Sequence, residues 1–305
     1  MVNSLSGIIN FNKPQGITSH DAVYLIRKYT GIKKVGHTGT LDPMATGVLP
    51  ICIGKATRII EYLDIDNRPD AKSYACEMTL GQTSDTYDIW GNILTKDSTI
   101  GLTEERIREV LMSFVGKIEQ IPPMYSAIKV DGRKLYDYAR SGDVIDLSKI
   151  KPRNVEISSL EINAIDLETA KVHFNMTCSK GTYVRSICHD AGQLLGCGGL
   201  MSGLKRTQSN GFTIETAYSE MDLIAIDDIS SVLYPMDQAL VGIPAIKLGS
   251  DSNDKIFING GVIHLEDISE TEPNGIHKIY TQDDQFVGMA MYKDGLVYPK
   301  KVIRG

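Results

Sequence analysis

The chain has no apolar run long enough to span a bilayer: its longest uninterrupted stretch is Val48–Ile53, whereas a membrane helix needs about 20 residues. Cysteine is scarce and unpaired by pattern. The five cysteines, Cys52, Cys76, Cys178, Cys188 and Cys197, form no CxxC pair and match neither a zinc ribbon nor a disulfide framework, which points to a reducing compartment. There is a single tryptophan and no low-complexity tract or internal repeat. The first residues lack a basic segment leading into an apolar one, so a cytoplasmic location is expected. The histidines show neither HExxH spacing nor paired carboxylates, and no metal is expected. Gly54-Lys55-Ala56-Thr57 looks like the end of a phosphate-binding loop, but Ala follows the lysine and the earlier glycine is missing, which excludes that motif.

What is present is a chain of 305 residues, 42% hydrophobic and 23% charged, ample for a buried core and suited to about two domains. The net charge of −6 argues against bulk attraction to polyanions. It conceals a strong asymmetry. Residues 22–60 carry six basic residues against the single acid Asp42, and residues 171–214 carry five against Asp190. Residues 215–285 hold 14 acids and three lysines, which makes that segment a poor surface for a polyanion. A polyanion partner would therefore meet local basic segments.

The coarse pattern is mixed. Gly7–Phe11, Val48–Ile53, Lys72–Leu80, Val155–Ile165 and Lys171–Cys178 read as strands. A helix opens at Thr18 or Ser19, another runs from a Thr103 cap to Gly116, and a third covers Thr182–Leu195 and ends at Gly196. Strands and helices do not alternate strictly, which predicts an α+β layout with antiparallel pairing. A boundary near residues 242–254 precedes short strands broken at Asp283-Asp284 and Asp294-Gly295, which predicts a small β-rich C-terminal domain.

The densest motif is Gly36-His37-Thr38-Gly39-Thr40-Leu41-Asp42-Pro43-Met44-Ala45-Thr46-Gly47-Val48-Leu49. Pro43 biases Asp42 toward an extended backbone, and glycines allow a ligand to approach closely. A lone carboxylate among cations stays ionised and can act as nucleophile or general base. A generic Asp-Pro more often stabilises a turn; the basic surroundings single this one out.

This segment resembles the catalytic loop of the TruB family of tRNA pseudouridine synthases. The resemblance continues through Asn12–Gly16, Lys72-Ser73-Tyr74, Leu80–Thr86, Pro122–Lys129, Lys180–Ser186 and Leu204-Lys205-Arg206. More weakly, residues 286–302 resemble the PUA domain that follows in many members. It implies a pseudouridine synthase fold, a mixed and largely antiparallel sheet flanked by helices, over residues 1–240, with a PUA-like RNA-binding domain over 245–305. It implies a cofactor-free enzyme acting on the T-arm of tRNA and isomerising uridine 55; separately, a monomer is expected. Asp42 matches the essential aspartate. Tyr74 matches the tyrosine stacking on the target base, Arg185 the arginine paired with the carboxylate, and Tyr183 and Leu204 residues lining the base pocket. His37 matches a histidine touching displaced nucleotides. Lys129, Arg133 and Arg140, within an RNA-gripping insertion at 120–150, and Lys13, Lys205 and Arg206 are expected RNA contacts, Lys13 in a supporting loop. Lys205 stands where many relatives carry arginine, which loses a bidentate fork. Two rivals remain: a catalytic subunit targeted by a guide RNA, and an idle RNA-refolding protein that keeps the pocket.

Overall fold

A computed structural model describes residues 5–63, 71–143, 145–264 and 273–303. Part of the acidic stretch and of the C-terminal domain thus lies outside the described residues.

The chain begins with strand β1 (Gly7–Lys13), helix α1 (Ser19–Thr30), β2 (Val35–His37) and β3 (Thr46–Ile53). Thr18 caps α1 and forms a capping box with Asp21, while Gly31 ends it in the left-handed conformation. Ala22, Val23 and Ile26 lay its apolar stripe on the sheet. β3 is buried nearly throughout, as its apolar run predicts. Next come β4 (Lys72–Leu80), a hairpin of β5 (Gln82–Ser84) and β6 (Ile93–Lys96), α2 (Glu104–Met112) and β7 (Gly116–Gln120). Helix α2 stops four residues short of the expected Gly116. Ser113 turns its hydroxyl onto the Val110 carbonyl, and Gly116 adopts φ +106°, a value suited to glycine, to start β7.

An insertion follows, with β8 (Lys129–Val130), β9 (Arg133–Lys134) and α3 (Leu135–Ser141) around a core of its own, Val130, Leu135 and Ile150. Then β10 (Arg153–Asp166), β11 (Lys171–Cys178), α4 (Val184–Leu195), β12 (Gly199–Ser209) and β13 (Phe212–Thr213) complete the main sheet, and α5 (Glu220–Ile224) leads out of it.

Among the described residues this sheet has nine strands, in the order β1-β3-β12-β4-β11-β10-β7, with β2 on β3 and β13 on β12. Its pairs are antiparallel except β12 with β3, where Arg206 lies opposite Gly47. A Cβ on Gly47 would strike the Arg206 backbone, so only glycine allows this approach. β4 and β12 are central, which brings Tyr74 and Leu204 onto neighbouring strands. The expected α+β, largely antiparallel architecture is observed.

A second sheet contains β14 (Ala245–Lys247), β15 (Ile263–His264), β16 (Gly275–Tyr280), β17 (Phe286–Lys293) and β18 (Leu296–Val302), beside helix α6 (Asp251–Ile258). Its turns fall at Asp284 and Asp294, both at positive φ, as the Asp-rich breaks suggest. Met289 and Ile303 pack with Ile8, Val48, Cys52 and Ile59 of the N-terminal region. No helix among the described residues is long and apolar enough to cross a membrane. All five cysteines are free and buried.

Candidate active site

Asp42 sits on the loop between β2 and β3, and the loop's backbone is held group by group. Arg206 donates from Nη2 to the Gly39 carbonyl at 3.2 Å, from Nη1 to Thr40 at 3.4 Å and from Nε to Val48 at 2.7 Å. Ser19 takes up both the amide and the carbonyl of Leu41. The Asp42 carbonyl accepts from Ala45, and that of Pro43 accepts from Gly16 and, at 3.5 Å, from Lys13 Nζ. With its backbone fixed, Asp42 leaves a carboxylate 31% exposed.

That carboxylate faces Arg185, 143 residues further along and in the first turn of α4. Nε lies 2.8 Å from Oδ2 and Nη2 donates to Oδ1 at 3.2 Å, a two-pronged ion pair. Nη1 also donates to the Thr86 carbonyl and Nη2 to that of Tyr125, both at 3.0 Å. The arginine side chain is only 5% exposed, so contacts on several edges fix the guanidinium plane and, through it, the carboxylate.

A second carboxylate shares this arginine at longer range, and sequence reading missed it. Asp88 Oδ2 lies 3.9 Å from Arg185 Nε, while its Oδ1 accepts from the Thr86 hydroxyl at 2.9 Å and the Trp90 amide at 3.0 Å. Burial pushes its carboxyl up; the Thr86 hydrogen bond and Arg185 oppose that. The loop that holds it is strained at Tyr87, a non-glycine residue at φ +63°, whose ring stacks on His189 of α4 with centroids 3.8 Å apart. The motif Leu80–Thr86 ends two residues before Asp88, and that proximity was the available signal.

Tyr74 is buried on β4. Burial pushes its phenol up to about 12, with the Arg206 guanidinium pulling the other way, so it is neutral near pH 7 and works as a ring and a hydrogen-bonding hydroxyl. Tyr183 is half-buried as the residue preceding α4; its phenol is also raised by burial. Leu204 packs, partly buried, against the core that contains Tyr74. Beside it a groove of about 350 Å³ runs over the sheet past Gln15, Met44, Thr46, Ala75 and Lys205. A cavity of about 390 Å³ between Asn10, Phe212 and Tyr234 contains none of the expected site residues. His37 is half-buried; burial first, then the Arg206 charge, lowers its pKa, and it remains a neutral ring.

Two expected RNA contacts are corrected. Arg206 and Lys13 are both 0% exposed. Arg206 spends its guanidinium on the three loop carbonyls. Lys13 Nζ donates to Pro14 at 2.9 Å and Ile17 at 2.8 Å, and burial lowers it to about 8 against the pull of Asp42. Backbone oxygens gather around these cations, so each supports the loop from beneath. Arg133, half-exposed, is engaged within the insertion with Asp143 at 2.6 Å, Ser141 and the Tyr138 ring. Lys129 and Lys205 are exposed, and Arg140 is exposed at the end of α3. Among the described residues no cluster of three or more His, Cys, Asp or Glu could hold a metal.

Residues 27–184 match the TruB family pseudouridylate synthase N-terminal domain, 185–241 the tRNA pseudouridylate synthase B C-terminal domain, and 244–303 the pseudouridine synthase II TruB C-terminal domain. The chain belongs to the TruB family. This pseudouridine synthase, an isomerase by family, is 44% identical to tRNA pseudouridine synthase B of Alkaliphilus oremlandii, over 95% of this chain and 94% of that one. The same-named protein of Clostridium kluyveri is 42% identical, with 95% and 96% covered. Among solved structures, a chain of a Cbf5-Nop10-Gar1 complex superposes with a TM-score of 0.71 at 27% identity, covering 98% of this chain and 85% of that one. A chain of the H/ACA RNP bound to a substrate RNA containing 2'-deoxyuridine gives 0.72 at 26% identity, with the same coverage.

Proposed function

We propose that this TruB-family protein is a stand-alone tRNA pseudouridine synthase that isomerises uridine 55 of the T-loop. The observation that carries the reading is the two-pronged Asp42–Arg185 pair at a partly open carboxylate. The names of the relatives, tRNA pseudouridine synthase B, support the substrate class.

In the proposed reaction the target uridine is flipped out of its loop, and Asp42 assists cleavage of the bond between C1' and N1. The uracil rotates in place, a bond forms between C1' and C5, the C5 proton leaves to solvent and N1 takes up a proton. Atoms and electrons balance without a cofactor. A free uracil must be kept from water and from escape, which calls for a pocket walled by apolar and aromatic side chains. Tyr74, Tyr183 and Leu204 are assigned to the walls, His37 to the nucleotides displaced beside the target, and Arg185 to orienting Asp42 as an anion.

We assign the catalytic unit to residues 1–240 and a PUA-like RNA-binding domain to 245–305. The insertion at 120–150 supplies the grip on the T-arm. There Lys134 and Arg140 lie 5.1 and 5.3 Å from the Tyr136 ring, an interleaving of cations and aromatics suited to phosphates and unstacked bases. Lys129, Arg140 and Lys205 are the assigned phosphate contacts. The enzyme is assigned to the cytoplasm as a monomer.

The test is tritium release from C5-labelled uridine in an unmodified tRNA transcript, with wild type and Asp42→Asn compared at equal RNA binding, followed by mapping of the product. Release by wild type alone, at position 55, is expected. Binding without release by a folded wild type overturns the stand-alone reading in favour of guide-dependent or non-catalytic roles.

A further inference from the structure

Gln120 has no individual role in the assignments above, yet its side chain joins the root of the insertion to the first turn of α4. It ends β7, pairs with Arg153 at the start of β10, and so marks the root where the insertion leaves and re-enters the sheet. It is 2% exposed. Its Nε2 donates to the Tyr183 carbonyl at 3.0 Å, and its Oε1 accepts from the Tyr183 amide at 2.7 Å. A side-chain amide thus pairs with one residue's backbone as a neighbouring strand would. Tyr183 has no side-chain cap of its own, so Gln120 supplies a fixed point for a helix start that otherwise lacks one.

The same short segment makes two more contacts with that turn. The Ile121 carbonyl accepts from Ser186 Oγ at 3.3 Å, and the Tyr125 carbonyl accepts from Arg185 Nη2 at 3.0 Å. Residues 120–125 therefore bear on Tyr183, Arg185 and Ser186 together. If Gln120 is lost, the Tyr183 amide loses this partner and the Tyr183 carbonyl keeps only the Ile187 amide at 3.3 Å, so the turn that aims Arg185 at Asp42 is held less firmly.

We propose that Gln120 is a positioning residue for the isomerisation: it locks the first turn of α4 to the root of the insertion and so sets Tyr183 and Arg185 at their working distance from the flipped base. This rests on the functional reading above, since that reading makes the placement of Tyr183 and Arg185 count toward rate. It also ties the grip on RNA to the geometry of the ion pair. An amide at the root of the gripping element holds the helix that carries the arginine.

The experiment uses the full-length protein with an unmodified tRNA transcript and reads three quantities: melting temperature, RNA affinity by filter binding, and the single-turnover rate of pseudouridine formation at saturating RNA. Gln120→Ala is expected to lower that rate about 10- to 100-fold, the scale of a misplacement near one ångström, with RNA affinity held. Gln120→Glu provides a variant of almost the same shape. Its carboxylate can still accept from the Tyr183 amide but repels the Tyr183 carbonyl, whereas the protonated carboxyl can donate to it again; burial raises the pKa of such a group. The ratio of the Gln120→Glu rate to the wild-type rate should therefore rise as pH falls. A folded Gln120→Ala with a wild-type rate, a loss confined to RNA affinity, or a Gln120→Glu ratio flat with pH overturns the proposal, and the last result does so even if Gln120→Ala fails to fold. A wild type that forms no pseudouridine overturns the functional reading and this inference together; an active wild type beside unimpaired variants overturns this inference alone.

Discussion

The hydroxyl of Ser19 stands between the two backbone groups of Leu41, accepting from its amide at 2.8 Å and donating to its carbonyl at 2.9 Å. Ser19 is buried at the start of α1, and Leu41 immediately precedes Asp42, so a single hydroxyl closes the backbone next to the carboxylate. Removing it leaves two buried groups unpaired, at a cost of about 1–3 kcal/mol. Ser19→Ala is expected to lose stability of that order in urea unfolding. It should also slow tritium release more than it weakens RNA binding, because the loop it frees carries the carboxylate. Equal losses in rate and affinity would count against this account.

Arg185 is the other half of the pair, and its donors reach Asp42, Thr86 and Tyr125 at once. An ammonium is a point charge on a flexible stem and cannot hold a carboxylate by two parallel bonds while serving two carbonyls. Arg185→Lys keeps the charge and loses the plane. We expect a single-turnover rate lower by about 100-fold with a folded protein and nearly unchanged RNA affinity. A rate close to wild type would show that charge alone suffices.

Much of this arrangement is legible in the amino-acid sequence alone, and the parts that are not share a common cause. Thr18 announces the start of α1 because capping is local chemistry, and the buried run Val48–Ile53 announces β3 because it needs no partner to be recognised. α2 is overextended because the apolar spacing runs on to Phe114, which stays buried after the helix has ended. The site is harder. Asp42 stands out as the acid of a basic segment, but Arg185 is 143 residues away, and only the family resemblance joins them. Asp88 and Gln120 act through partners 97 and 63 residues distant, which no spacing rule reaches. Lys13 and Arg206 fail in the opposite sense. Composition shows their charge and hides that backbone carbonyls have drawn them inside.

Helix α4 reaches the site only because it packs very closely on β12. A Cβ on Gly192 would collide with the backbone of Gly198 and Gly199, and the Gly192 carbonyl also accepts from the amides of Cys197 and Gly198. Here backbone meets backbone, and no flexible side chain can give way. Gly192→Ala is expected to cost stability toward the upper end of the about 1–3 kcal/mol typical of overpacking. It should lower activity through displacement of Arg185, nine-tenths and more buried at the other end of the same helix. Calorimetry and single-turnover rates on the folded fraction check both parts.

Asp190, one residue beyond the stacked His189, supplies a prediction with a definite sign in pH. Burial pushes its carboxyl up from 3.8 to about 6. The folded state therefore holds this proton more tightly than the unfolded one, and the stability it contributes is fully present below pH 3.8 and is lost as pH rises through about 6. Asp190→Asn stays neutral throughout. It should melt higher than wild type at pH 7.5, and the advantage should shrink and vanish as pH is lowered toward 4. His189, whose ring is held neutral by burial, loses stability on the acid side in both proteins and so cancels from the difference. Melting curves of the two proteins across this range decide it: a difference independent of pH would mean that Asp190 affects stability through packing rather than through its charge.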